Sequence, residues 1–164
     1  MKPLFSALVI LAAAHGVCIA ADTAHHVDGL SCREGPYSLQ LPEHFAELRK
    51  IGNLQTERVL PAPARGVRAE YRELVFNGLR LVVVRPPLDP ETYEIATAEI
   101  RGKAWKVAGP LRVGGMLPAK LGDVDTRDLS NGSAYTEFNG ERDTMRVRRT
   151  GRRIYGITYL CVVD

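Results

Sequence analysis

Arg146, Arg148, Arg149, Arg152 and Arg153 crowd into one short stretch, and Tyr155 and Tyr159 follow them. Guanidinium groups grip carboxylates and phosphates through paired N–H donors, which suits anionic glycans or phospholipid headgroups. Arginine and tyrosine also anchor protein interfaces. Along an extended chain, Arg146 and Arg148 share one face while Met145 and Val147 take the other, and Tyr155 and Tyr159 share a face of the next strand. Glu141 and Asp143 stand close enough in sequence to balance part of this charge. The cluster therefore reads as a binding surface.

Other reactive residue types do not assemble. Asp123, Asp125 and Asp128 begin like a calcium loop, but the spacing fails after Asp125 and Ala134 stands where a bidentate glutamate would be needed. Glu43-His44 has the types for acid–base work, yet both fall in the first turn of a predicted helix, where a glutamate complements the helix dipole. His44 is the one histidine past residue 31, and no serine lies in a glycine-flanked elbow. His25-His26 could hold copper or nickel, but no further ligand sits near it in sequence. Asn131-Gly132-Ser133 has the glycosylation pattern and reads as a turn. These residues call for no cofactor and no metal.

Cys32 and Cys161 stand near opposite ends of the chain and read as one disulfide of an oxidising compartment. The N-terminus agrees with export. Lys2, an apolar run from Leu4 to Ala14 and small residues up to Ala20-Ala21 have the layout of a cleaved signal peptide. Residues 1–20 are thus a leader cut near Ala20 or Ala21, and Cys18 leaves with it. A mature chain of about 143 residues follows, enough for one compact domain. Without Lys2, 21 basic residues face 19 acidic ones, a net of +2 that demands no nucleic acid.

The elements that must hold the arginines are mostly strands. Residues 21–31 read as a flexible leader. Tyr37 to Leu41 alternates like a strand, and Pro42 opens a short helix with Phe45, Leu48 and Ile51 on one face and Gly52 at its end. Residues 53–66 read as a loop around Pro61 and Pro63. Residues 69–76 and 79–84 form a hairpin across Asn77-Gly78, a pair suited to a type I′ turn. Thr92 to Thr97 fits a strand or a helix; a strand gives the hairpin its third partner. Leu111 to Val113 is a short strand, and a helical turn surrounds Pro118 to Leu121. A three-stranded meander then runs Tyr135–Phe138, Met145–Arg149 and Ile154–Val163. Its last strand carries Ile154, Leu160 and Val162 on one face and Ile157, Tyr159 and Cys161 on the other, so it is expected in the middle of a sheet.

The halves 32–104 and 105–164 repeat an order of events. Tyr71-x-Glu73 is echoed by Tyr135-x-Glu137, and Phe76-Asn77-Gly78 by Phe138-Asn139-Gly140. Leu111-Arg112-Val113-Gly114, Leu121-Gly122, Tyr135 and the strands up to Cys161 resemble the module of the small outer-membrane assembly lipoproteins of the SmpA/BamE type. In tandem, that module resembles the beta-lactamase inhibitor protein fold. Two departures stand out: Val17 precedes Cys18 where lipidation needs a small residue, and the helix at Pro118 is short.

The expected fold is α+β, two tandem strand–helix–meander units within a single compact domain. The expected function is a non-enzymatic periplasmic or secreted protein that binds another envelope or secreted protein, as inhibitor, immunity factor or assembly accessory. The alternatives are an envelope glycan or lipid binder using the hairpin 146–153 and, third, a small hydrolase.

Overall fold

The computed structural model describes residues 24–63, 68–106, 109–129 and 135–163. The strands are β1 (His25–His26), β2 (Leu54–Leu60), β3 (Glu70–Phe76), β4 (Leu79–Arg85), β5 (Glu94–Ile100), β6 (Lys120–Leu121), β7 (Val124–Asp125), β8 (Tyr135–Asn139), β9 (Thr144–Thr150) and β10 (Arg153–Leu160). The helix α1 (Phe45–Leu48) is a single turn, and Thr126–Asp128 is one 3-10 turn. Strand accounts for 43% of the structure and helix for 5%, so the chain is a β protein. The α+β expectation is corrected: one large sheet dominates, and among the described residues no helix of packing size lies on it. The reason is local. Phe45 and Leu48 are buried and Ile51 is half-buried against the core, but the helix is a single turn that ends with Arg49 as its C-cap.

Eight strands form one mixed sheet in the order β1-β8-β9-β10-β5-β4-β3-β2, and β6 pairs with β7 apart from it. The meander β3-β4-β5 and the meander β10-β9-β8 meet by their last strands, β5 and β10, which run antiparallel. Ala98 pairs with Tyr159 at this junction, and both are fully buried. The two hairpins match in register: Tyr71 and Glu73 face Val84 and Val82, as Tyr135 and Glu137 face Arg148 and Arg146. The Phe-Asn-Gly echo does not match. Asn77-Gly78 is the β3–β4 turn itself, whereas Asn139 still pairs with Thr144 before the β8–β9 turn.

Alternation sends Leu74, Phe76, Leu79, Leu81, Val83, Ala98, Ile100, Met145, Val147, Ile157 and Tyr159 to one face. Two irregular stretches cover that face. The first brings Val27, Leu30, Leu39, Phe45 and Leu48, and the second Leu111, Val113, Leu117, Leu121 and Leu129. The opposite face has no such cover among the described residues. Fully burying each of the large side chains contributes roughly 1.5–3 kcal/mol, so the sheet is held chiefly from one side.

Several expectations are corrected here. Residues 24–31, expected as a flexible leader, are held in place: β1 pairs in parallel with β8, and Val27, Leu30 and Cys32 are buried. Gly140 permits this approach, since a Cβ there would lie 2.0 Å from the Leu30 carbonyl oxygen. Residues 54–60 form a strand, not a loop. Residues 37–41 and 111–113 are not strands, and Lys120-Leu121 lies in a two-residue strand, not a helix. The Asn77-Gly78 turn has positive φ at Gly78 (76°) but not at Asn77, so it is not type I′. Residues 91–101 give a strand, and β10 lies between β9 and β5 as expected. Its faces differ from the expectation, because a bulge between Ile154 and Gly156 places Ile154, Ile157 and Tyr159 together in the core.

Candidate functional site

On the uncovered face, the ladder places chemistry in rows across the strands. One row runs Thr56, Val75, Arg80, Glu99, Thr158, Arg146 and Glu137, each directly opposite the next. In the β2–β5 half the charges are matched. Glu73 is buried and accepts from Arg58 and from Arg80 at 2.6 Å, and Arg80 also reaches Glu99 at 2.9 Å. The Arg58 hydrogen bond holds the Glu73 carboxyl below its ordinary value against the opposing effect of burial, and Arg80 adds to the lowering.

The β8–β10 half is different. Arg148 stands between Tyr135 on β8 and Gly156 on β10. Gly156 has no side chain, so Arg148 lies across the strand and places its guanidinium 5.5 Å from the Tyr155 ring centre. Arg146 lies 5.6 Å from the Tyr135 ring centre and bonds Glu137 at 2.6 Å. Tyr135 and Tyr155 are each 42% exposed. Arg148 has no carboxylate partner among the described residues, so this corner carries a cationic surplus. Two arginine–tyrosine pairs, side by side on rigid strands, form an amphipathic patch. Cation–π contacts of this kind are modest when exposed and grow as water is excluded.

The other predicted site residues do not join this patch. Arg149 is 3% exposed on the covered side, where its Nε donates to Thr136 Oγ1 at 2.8 Å and its Nη1 to the Gly151 carbonyl at 2.7 Å. Arg152 donates to the Leu117 carbonyl at 2.6 Å and the Thr126 carbonyl at 3.3 Å, tying the second covering segment to the β9–β10 turn. Arg153 is exposed at that turn, 3.4 Å from the Gly114 carbonyl. Tyr159 is buried, its hydroxyl donates to the Tyr37 carbonyl, and burial pushes the phenol up. Thus Arg146, Arg148 and Tyr155 come together, while Arg149, Arg152 and Tyr159 hold the fold. Sequence reasoning missed Tyr135 and Glu137 as members. The register of a three-stranded meander, counted outward from Arg146 and Arg148, carries the signal for both.

The disulfide joins Cys32 and Cys161, whose Cα atoms are 6.0 Å apart. Asp143 completes a close group with the two sulfurs. That group does not suit a metal: the sulfurs are bonded to each other, and the Asp143 oxygens accept from Cys32 N–H at 2.8 Å and Val162 N–H at 3.0 Å. A groove of about 560 Å³ runs beside the disulfide and is crossed by the Arg33–Glu94 pair at 2.6 Å. Asp125 accepts from the side chain and backbone N–H of Arg127, which hold its carboxyl well below the usual range and leave it serving a tight turn. His44 is exposed at the N-cap of α1, and Glu43 beside it is exposed as well. His26 bonds Asp28 at 3.0 Å. Residues 1–20, expected as a cleaved leader, and the Asn131-Gly132-Ser133 pattern lie outside the described residues. Comparison of the chain with family models, curated proteins and solved structures yields no match.

Proposed function

We propose that this is a non-enzymatic binding protein of an oxidising, extracytoplasmic space, delivered there by a leader cut near Ala20 or Ala21, and that its partner is another protein. The observation that carries the reading is the pair of exposed arginine–tyrosine stacks, Arg146 on Tyr135 and Arg148 on Tyr155, on a sheet face that no other described segment covers. Backbone pairing fixes where these side chains leave the sheet before any partner arrives, so no backbone ordering is needed on docking. The Cys32–Cys161 disulfide supports the compartment. A glycan or lipid reading has less support, because Arg149 and Arg152 face away from the patch and Glu137 brings a negative charge into it.

The test is recovery of the full-length protein from its native envelope extract after mild crosslinking. Wild type should retain one stoichiometric protein partner, and the double variant Arg148→Ser, Tyr155→Ala should lose it while melting at the same temperature. Equal recovery by the variant would end this reading.

A further inference from the structure

The β4–β5 connection, residues 86–93, carries Pro86, Pro87, Leu88, Asp89 and Pro90, and at its tip Leu88 is 97% exposed. A lone exposed leucine is ordinary. The scaffold beneath this one is not. Arg85, at the end of β4, sends Nε and Nη2 across the loop to the Pro90 carbonyl at 3.0 and 2.7 Å. Its guanidinium lies over the Phe45 ring, 4.3 Å from the centre, and Nη1 bonds Glu70 at 2.9 Å. Thr92 closes a turn on the Asp89 carbonyl through its N–H and hydroxyl. Phe45 N–H donates to the Glu91 carbonyl at 2.9 Å, which ties the loop to α1. Three prolines and four hydrogen bonds onto two of its carbonyls, together with the α1 tie, hold the loop stiff. What it presents is an apolar side chain touching almost nothing of its own protein.

We infer that loop 86–91 is a preformed docking finger that inserts Leu88 into an apolar pocket of a partner protein. Asp89 and Glu91 are exposed beside it and have no ion-pair partner among the described residues, so the rim of that pocket is basic. The same two carboxylates repel an anionic bilayer and argue against a lipid surface as occupant. β10 runs antiparallel to β5, so the finger lies at the end of the sheet opposite the Tyr155 patch. The finger and the patch are therefore separate contacts, and either stands if the other fails.

The test places the photo-crosslinker p-benzoylphenylalanine at position 88 of the full chain in its native cells, with position 116 as control, since Met116 is also well exposed. The expected result is one discrete adduct with a different protein from position 88 and none of comparable yield from 116. With that partner purified, Leu88→Ser should weaken binding by about 10–100-fold and Leu88→Met by less than about threefold. Melting temperature should not move, because Leu88 is not packed. Equal adduct yields at the two positions, an adduct of two copies of this chain, or unchanged affinity of Leu88→Ser would each overturn the inference.

Discussion

One carboxylate oxygen of Asp143 accepts the backbone N–H of Cys32 at 2.8 Å, across 111 residues of chain, while its other oxygen accepts Val162 N–H at 3.0 Å. The first described segment and the last are thus clasped by a hydrogen-bonded carboxylate as well as by the disulfide. Asp143→Ala leaves both N–H groups without that acceptor and should cost about 1–3 kcal/mol with the disulfide intact. The pair Cys32→Ser, Cys161→Ser should cost roughly 4–5 kcal/mol, because the bridge closes a loop of nearly the whole described chain. Urea unfolding with and without reductant checks both.

Arg148 and Arg149 are sequence neighbours with opposite roles. Arg149→Ala removes a buried side chain that bonds Thr136 and Gly151, and should destabilise by about 2–4 kcal/mol. Arg148→Ala removes an exposed cation and should stay within about 0.5 kcal/mol of wild type. The same unfolding series measures the contrast. Equal effects would mean that the β9 register is shifted.

Ala98 sits opposite Tyr159 where the two meanders join. Both are 0% exposed, so extra volume has nowhere to go. Ala98→Leu should cost about 1–3 kcal/mol by overpacking. Tyr159→Phe, which loses only the hydroxyl bond to Tyr37, should cost about 1 kcal/mol. Thermal melts rank the pair.

Glu73 ties the charge pattern to pH. Its carboxyl is held below the ordinary value of 4.5 by the hydrogen bond from Arg58, with Arg80 second. A depressed folded value means its contribution is complete above about pH 5 and is lost as pH falls below 4.5 through the folded value. Glu73→Gln should therefore lower stability near neutrality by about 1–2 kcal/mol and flatten the decline as pH falls below 4.5. Chemical denaturation at several pH values reads the slope. A decline as steep as wild type's would remove Glu73 from the account.

The strands β3, β4, β8 and β9 were legible from extended apolar or alternating runs bounded by turn residues; the β5 segment fitted a strand or a helix, and β10 was legible as a run with apolar residues on both faces. β2 was not, since an edge strand packs little on either side: Gln55, Thr56 and Arg58 are exposed, and Pro61 and Pro63 suggested a loop. The helical turn at Pro42 was foreseen in place but not in length. Around Pro118, Leu117 and Leu121 turn inward, the second from the short strand β6, at a spacing that a helix would also give.

The candidate site was half legible. Arg146 and Arg148 share a face by strand period alone, but the bulge at Tyr155 reverses the relation of Tyr155 to Tyr159, and no count by twos foresees an inserted residue.

From its residues alone, then, the chain specified most of the long strands, the turn at Asn77-Gly78, and that Cys32 meets Cys161. These rest on local alternation, on turn residues and on the pairing of two thiols. Only the tertiary structure decided that β5 joins β10, that one sheet replaces two helix-backed units, and that five neighbouring arginines part to opposite sides of it. Strand edges join through backbone N–H and C=O groups that are the same for every residue, so their partners are chosen by the packing of the whole core.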